Sequence, residues 1–233
     1  EIEIPMQLPE YASSAEAFLS IQFKLGEDQS WAKAGYEVAW EQFSVPILAG
    51  SEERLVPLSQ EELHLSSQAD QVIISGTDFR ILFDPHAGFL QQYIYQGREL
   101  LKSPLKPNLW RVWIDNDIST FIVYPWLKPL LGKHFWRSAN LKLRCIHFHA
   151  QALDTHQICV EASWRVPGGK TPFETIYTID ANGGIQVEAR FTPGKELERM
   201  GMQLSLPAEF RLLEYFGLGP QETMPDRQMG ARV

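Results

Sequence analysis

Asp115, Asn116 and Asp117 follow Trp110 and Trp113 closely enough to share one recognition surface. Carboxylate and amide oxygens accept hydrogen bonds from sugar hydroxyls, and indole faces cover the apolar side of a pyranose ring. Trp113, Asp115, Asn116 and Asp117 are therefore the candidate rim of a carbohydrate site. An Asx-turn cluster capping a loop uses the same residue types, and both readings stay open at this point. His147 and His149 stand two apart on an expected strand, which turns both imidazoles to one face and within reach of a shared metal. No third ligand nearby completes a set, and their face continues through Leu141, Leu143 and Cys145. Partly buried structural histidines are the expectation, and no metal site is assigned. Glu41 and Gln42, beside Trp40, read as strand residues serving a domain contact, and Asp226 with Arg227 as a local ion pair or backbone clamp. No residue is assigned a catalytic role, Glu41 and Glu222 included.

The elements that must carry these residues repeat with period two. Ala17, Leu19, Ile21, Phe23 and Leu25 alternate with Phe18, Ser20, Gln22 and Lys24, the pattern of a half-buried strand. A second strand is expected over 37–45, and a weaker one over 2–6. The polar stretch from Gly50 to Glu62 has little periodicity and is the best linker in the chain. Phe79, Ile81 and Phe83 lead into Asp84-Pro-His-Ala-Gly88, a hairpin loop by its chemistry, with Phe89 to Tyr95 as the returning strand. Further strands are expected over 141–150, 157–166, 172–179, 185–191 and 200–206. Pro167-Gly-Gly-Lys170 and Asp180-Ala-Asn-Gly-Gly184 separate three of them as antiparallel hairpins. Many short strands with regular turns spell an all-β antiparallel β-sandwich. One segment breaks the rhythm: 109–140 holds Trp110, Trp113, Trp126 and Trp136 with little alternation, and 126–137 is a candidate short helix. Such an excursion from a β-domain more often serves function or an interface than mere connection.

Bulk properties narrow the function classes. The 233 residues carry a formal charge of −8 with acids scattered along the chain. That balance excludes a nucleic-acid binder, which needs a basic stripe to neutralise phosphates. No apolar run approaches the roughly 20 residues of a membrane helix. Two cysteines suit a reducing compartment such as the cytoplasm. The opening Glu1-Ile-Glu-Ile-Pro5 lacks the regions of a signal peptide, and the chain is expected to be cut from something longer.

Three segments carry a family resemblance. Trp31-Ala-Lys-Ala-Gly-Tyr-Glu-Val-Ala-Trp-Glu-Gln42, Pro107-Asn-Leu-Trp-Arg-Val-Trp-Ile-Asp-Asn-Asp117 and Gly217-Leu-Gly-Pro-Gln-Glu-Thr-Met-Pro-Asp-Arg227 resemble, in this order, signatures of the lacZ-like β-galactosidases of glycoside hydrolase family 2. Arg98-Glu-Leu-Leu101 is a further match. The resemblance implies that residues 1–48 are the last strands of an immunoglobulin-like β-sandwich, 49–65 a linker, and 66–233 the first part of a galactose mutarotase-like supersandwich, truncated. It implies a parent that hydrolyses terminal β-galactosides with retention, using two glutamates on a barrel outside this chain. The parent's magnesium and sodium would bind there too, with no cofactor in this portion. The partners it implies are the rest of that chain, a galactoside substrate and a homo-oligomer, with neither nucleic acid nor membrane. Ser119 stands where the family commonly has glycine, and Arg111-Val-Trp-Ile114 replaces the usual Arg-Ala-Pro-hydrophobic. The alternative is a free-standing carbohydrate-binding or aldose-epimerase-like β-sandwich.

Overall fold

A computed structural model describes residues 16–45, 61–112, 135–197, 199–220, 223 and 228–233. They fall into two compact units, one within 58–211 and one combining 1–57 with 212–233.

In the larger unit eleven strands form two antiparallel sheets. The first sheet contains β3 (His64–Ser67), β4 (Val72–Ser75), β5 (Phe79–Asp84), β6 (Phe89–Tyr95), β7 (Arg98–Glu99), β8 (Ser103–Asn108) and β13 (Gly201–Ser205). Its order is β13-β8-β6-β5-β4-β3, with β7 paired to β6. The second sheet contains β9 (Arg144–Ala152), β10 (Gln157–Arg165), β11 (Phe173–Asp180) and β12 (Ile185–Arg190), in the order β12-β11-β10-β9. Alternation decides what faces inward. Phe79, Ile81 and Phe83 of β5 meet Ile158 and Val160 of β10 and Tyr177 and Ile179 of β11 in one core, so the sheets pack as a sandwich. Each such side chain contributes about 1.5–3 kcal/mol by leaving water. A second core gathers Leu109, Trp136, Ala139, Ala162, Trp164, Val166 and Phe173.

The turn between β5 and β6 is held by its first residue. Asp84 Oδ1 accepts from the amides of His86 (2.8 Å) and Ala87 (2.9 Å). Gly88 follows with φ 77°, and a side chain there would press on Cys145 Sγ and the Trp164 ring, both 3.0 Å from an added Cβ. Only glycine accepts both the angle and the contact.

Four strands escape the alternation pattern. β3 and β4, of four residues each, are too short to show a period, and β7 has two residues. β8 contains Pro104 and Pro107, which read as strand breakers, yet it pairs with β13 from Gly201↔Asn108 to Ser205↔Ser103. The only described α-helix is α1 (Phe135–Asn140), overlapping the end of the expected 126–137.

The histidine expectation is corrected here. The β9–β10 register shifts where Trp164 faces Cys145 and Ser163 faces His147, leaving Ile146 as the extra residue of a bulge. Leu143 and Cys145 therefore point into the core while His147 and His149 are exposed on the opposite face.

Tyr177 sits fully buried, its hydroxyl without a well-formed hydrogen bond among the described residues and with only a weak interaction with the Thr175 hydroxyl. Burial pushes its phenol up to about 12. Because the folded value exceeds the unfolded one, its stabilising effect is complete below pH 10 and is lost as pH rises from about 10 to 12. We expect Tyr177→Phe to equal or exceed the wild type by about 1 kcal/mol at pH 7, since a poorly satisfied polar group is removed. Its midpoint of alkaline unfolding should lie at higher pH. Denaturant melts at pH 7 and 11 check both, and a variant weaker at pH 7 would mean the hydroxyl is satisfied.

In the smaller unit β1 (Ala17–Lys24) pairs with β2 (Glu37–Val45). Leu19 lies opposite Phe43 and Ile21 opposite Glu41 on one face, Ser20 opposite Gln42 and Gln22 opposite Trp40 on the other. The apolar face remains open to solvent: Phe23 is 61% exposed and Phe43 50%.

Candidate functional site

The sugar-rim candidates Trp113, Asp115, Asn116 and Asp117 lie outside the described residues, as do Asp226 and Arg227. What the fold does place is the pair of described stretches flanking these candidates. β8 ends at Asn108, whose Oδ1 accepts the Trp110 amide at 3.1 Å. Across the gap, Asn140 at the end of α1 accepts the Leu109 amide through its Oδ1, also at 3.1 Å. Arg137 stacks 5.1 Å from the Trp110 ring centre, a cation–π contact between the two ends. Trp136 anchors α1 by donating Nε1–H to the Glu196 carbonyl at 2.6 Å. Residues 108–110 and 137–140 are thus held side by side by these contacts. Trp110 Nε1 is buried without a hydrogen-bond partner among the described residues.

In the smaller unit Arg232 and Val233 link the first signature segment, through Glu37, Trp40 and Gln42, to Gly219 of the third. Arg232 forms a two-pronged ion pair with Glu37, at 3.1 and 3.2 Å, and its guanidinium lies 4.8 Å from the Trp40 ring centre. Gln42 treats Val233 as a neighbouring strand would: its Oε1 accepts the Val233 amide at 2.8 Å and its Nε2 donates to the Val233 carbonyl at 3.3 Å. Gly219 and Arg232 then pair through their backbones. A side chain at position 219 would collide with the Tyr215 hydroxyl, which accounts for the glycine. Gln42, Trp40 and Glu37 thus make their contacts within the smaller unit, so the domain contact expected of Glu41 and Gln42 is not what these bonds form. Glu41 faces away with Ile21. Ahead of this clamp, Asp28 accepts the Ala34 amide and the Lys33 ammonium, contacts that hold its carboxyl below the usual range. These are scaffold contacts with no reacting geometry.

Glu37→Ala would leave a partly buried guanidinium without its carboxylate. The expected cost is about 1–2 kcal/mol, read as roughly tenfold faster hydrogen exchange at the Gly219 and Arg232 amides. Unchanged exchange would mean the pair does not hold this segment.

The exposed face of the second sheet carries the remaining polar cluster. His147 Nε2 lies 3.7 Å from Glu161, in a cavity of about 280 Å³ also lined by Ser163, Glu174, Glu188 and Arg190. Arg190 reaches Glu188 at 3.5 Å. Among the described residues no three His, Cys, Asp or Glu side chains converge to hold a metal ion. Cys145 and Cys159 are free thiols, and burial pushes both upward.

Comparison with known proteins now bears on these placements. A family profile described as "Beta galactosidase small chain" matches residues 75–233, and one described as "Beta-galactosidase, domain 4" matches residues 1–46. A β-galactosidase of Priestia megaterium is 29% identical over 238 residues, covering 100% of this chain and 22% of the relative. Those of Halalkalibacterium halodurans (27% identical, 94% of this chain, 21% of the relative) and Vibrio cholerae (29%, 99% and 22%) are similar. The chain thus spans about a fifth of the length of these relatives. With one profile covering most of its length and an all-β sandwich beneath it, the chain belongs to the β-galactosidase small-chain family.

Proposed function

We propose that this chain is the non-catalytic C-terminal portion of a β-galactosidase that hydrolyses terminal β-D-galactosides such as lactose with retention. The two catalytic glutamates, about 5–5.5 Å apart as retention requires, belong to a barrel in sequence outside these residues, together with the magnesium and sodium sites. This portion supports assembly of the whole enzyme, which works as a homo-oligomer, and contributes the substrate-site rim through Trp113, Asp115, Asn116 and Asp117. Residues 1–48 serve as the end of an immunoglobulin-like domain, 49–65 as a linker and 66–233 as the opening part of the terminal sandwich.

One observation carries the reading: the relatives match this chain over nearly all of its length but only over about a fifth of theirs. Exposed apolar surface supports it. Leu212, Leu213, Tyr215 and Phe216 are 62–90% exposed, and the Leu19–Phe43 face has no opposing sheet among the described residues, a state that calls for covering by a larger assembly.

In the intact parent, Asp115→Ala or Trp113→Ala is expected to lower kcat/KM for a galactoside by about 10- to 100-fold, the loss of one or two substrate contacts. The melting temperature should hardly move. Variants that unfold while the remaining folded enzyme keeps its kinetics would make the cluster an Asx-turn cap instead. The second reading, an aldose-epimerase-like sandwich, draws on the His147–Glu161 pair, since such chemistry uses a histidine and a carboxylate as acid and base. It requires the chain alone to accelerate galactose mutarotation and His147→Gln to abolish that.

A further inference from the structure

A large cavity lies at the end of the second sheet, beside α1, where Lys142 donates its amide to the Ala139 carbonyl and Gly168 packs against the Phe135 ring. It holds about 880 Å³ and is bordered by Lys142, Arg144, Arg165 and Lys170, with no carboxylate among its described lining residues. All four cations are exposed, and none makes an ion pair with another described residue. This is a concentrated positive site on a chain whose formal charge is −8.

Its central pair is the telling feature. Arg144 and Arg165 are direct cross-strand partners at the end of the β9–β10 ladder. Like charges directly opposite one another destabilise a sheet. The placement therefore works against folding, and no described residue offsets it as a counterion. Groups held at a cost to stability are typical of sites that meet an outside ligand.

We infer that this cavity is a docking site for a carboxylate-rich segment of a protein partner, with apolar side chains interspersed. Guanidinium forks pair with carboxylates through two parallel hydrogen bonds. Apolar walls from Ile146 and Pro172 suit side chains that a bare inorganic anion lacks. The volume likewise exceeds what one phosphate fills. Nucleic acid is disfavoured because Glu161, Glu174 and Glu188 line the neighbouring cavity on the same sheet and would repel a phosphate backbone. The inference is independent of the galactosidase reading.

The test is titration calorimetry on the 233-residue chain with the peptide acetyl-Glu-Leu-Glu-Leu-Glu-Glu-amide. Its lysine counterpart, inorganic phosphate and a short single-stranded oligonucleotide are the comparisons. Saturable one-to-one binding of the acidic peptide is expected, weakened at least tenfold by Arg144→Glu and again by raising salt from 50 to 300 mM. Arg144→Glu puts a carboxylate opposite Arg165, so its melting temperature should equal or exceed that of the wild type while binding is lost. A purely structural pair would not separate the two readouts in that way. Lys170→Glu, in the Pro167–Lys170 turn, is the second variant and should weaken the peptide without touching the ladder. Absence of peptide binding, wild-type affinity in both variants, or preference for phosphate or the oligonucleotide would overturn the inference.

Discussion

Trp164→Ala will destabilise the larger unit by about 3–5 kcal/mol, the range for removing a large aromatic side chain from a packed core. Trp164 is fully buried. Its ring stacks on Phe89 with centres 5.4 Å apart and meets Phe173 edge-on at 6.3 Å. Its Nε1–H donates to the Ala87 carbonyl at 2.7 Å, which ties β10 to the β5–β6 turn. The substitution thus opens a cavity between the sheets and orphans a turn carbonyl at once. Against a total of about 5–15 kcal/mol for a typical domain, that loss would leave much of the protein unfolded on mild warming. Trp164→Phe keeps most of the stacking and loses the hydrogen bond, so a smaller loss of about 1–3 kcal/mol is expected. Denaturant unfolding of the three proteins decides it. A Trp164→Ala cost below about 1 kcal/mol would mean the sheets repack around the gap.

The sandwich was legible because its central strands alternate cleanly. Phe79-Arg-Ile-Leu-Phe83 and Phe173 to Ile179 show their buried faces in the residue types themselves. The Asp84–Gly88 hairpin was equally readable from Asp, Pro and Gly. Edge and short strands were not, since β4 has too few residues to show a period and the prolines of β8 point away from a strand. The histidine face was misjudged for a different reason. A single bulged residue, Ile146, reverses the inside and outside of everything beyond it, and no local pattern announces a bulge. Of the two contact residues expected, Glu41 and Gln42, only Gln42 turns to Val233, while Glu41 faces away with Ile21, and the partners were not identified. Arg232 and Val233 lie some 190 residues away, and pairing over that distance is a property of the tertiary fold. The basic cavity was also invisible, because Lys142, Arg144, Arg165 and Lys170 come from separate strands and turns.

The isolated chain will not raise the hydrolysis of an aryl β-galactoside above the buffer rate. Retaining hydrolysis needs an acid/base carboxyl and a nucleophilic carboxylate on opposite sides of one glycosidic bond. Holding reactants in that geometry supplies about 7–11 kcal/mol of the barrier reduction. Enzymes as a class gain at least about 10⁶-fold over the uncatalysed reaction, so loss of the constellation should remove all measurable turnover. The described clusters offer no substitute. Glu37 is engaged by Arg232, Glu188 by Arg190, and Glu161 sits beside His147 on an open face.

The most direct measurement is therefore aryl β-galactoside turnover by three samples: this chain, a β-galactosidase polypeptide lacking its matching C-terminal portion, and the two mixed. The account predicts background rates for the chain alone and turnover that rises with chain concentration in the mixture, together with a stable complex on sedimentation. Robust turnover by the chain alone, abolished by changing one residue within it, would contradict the account.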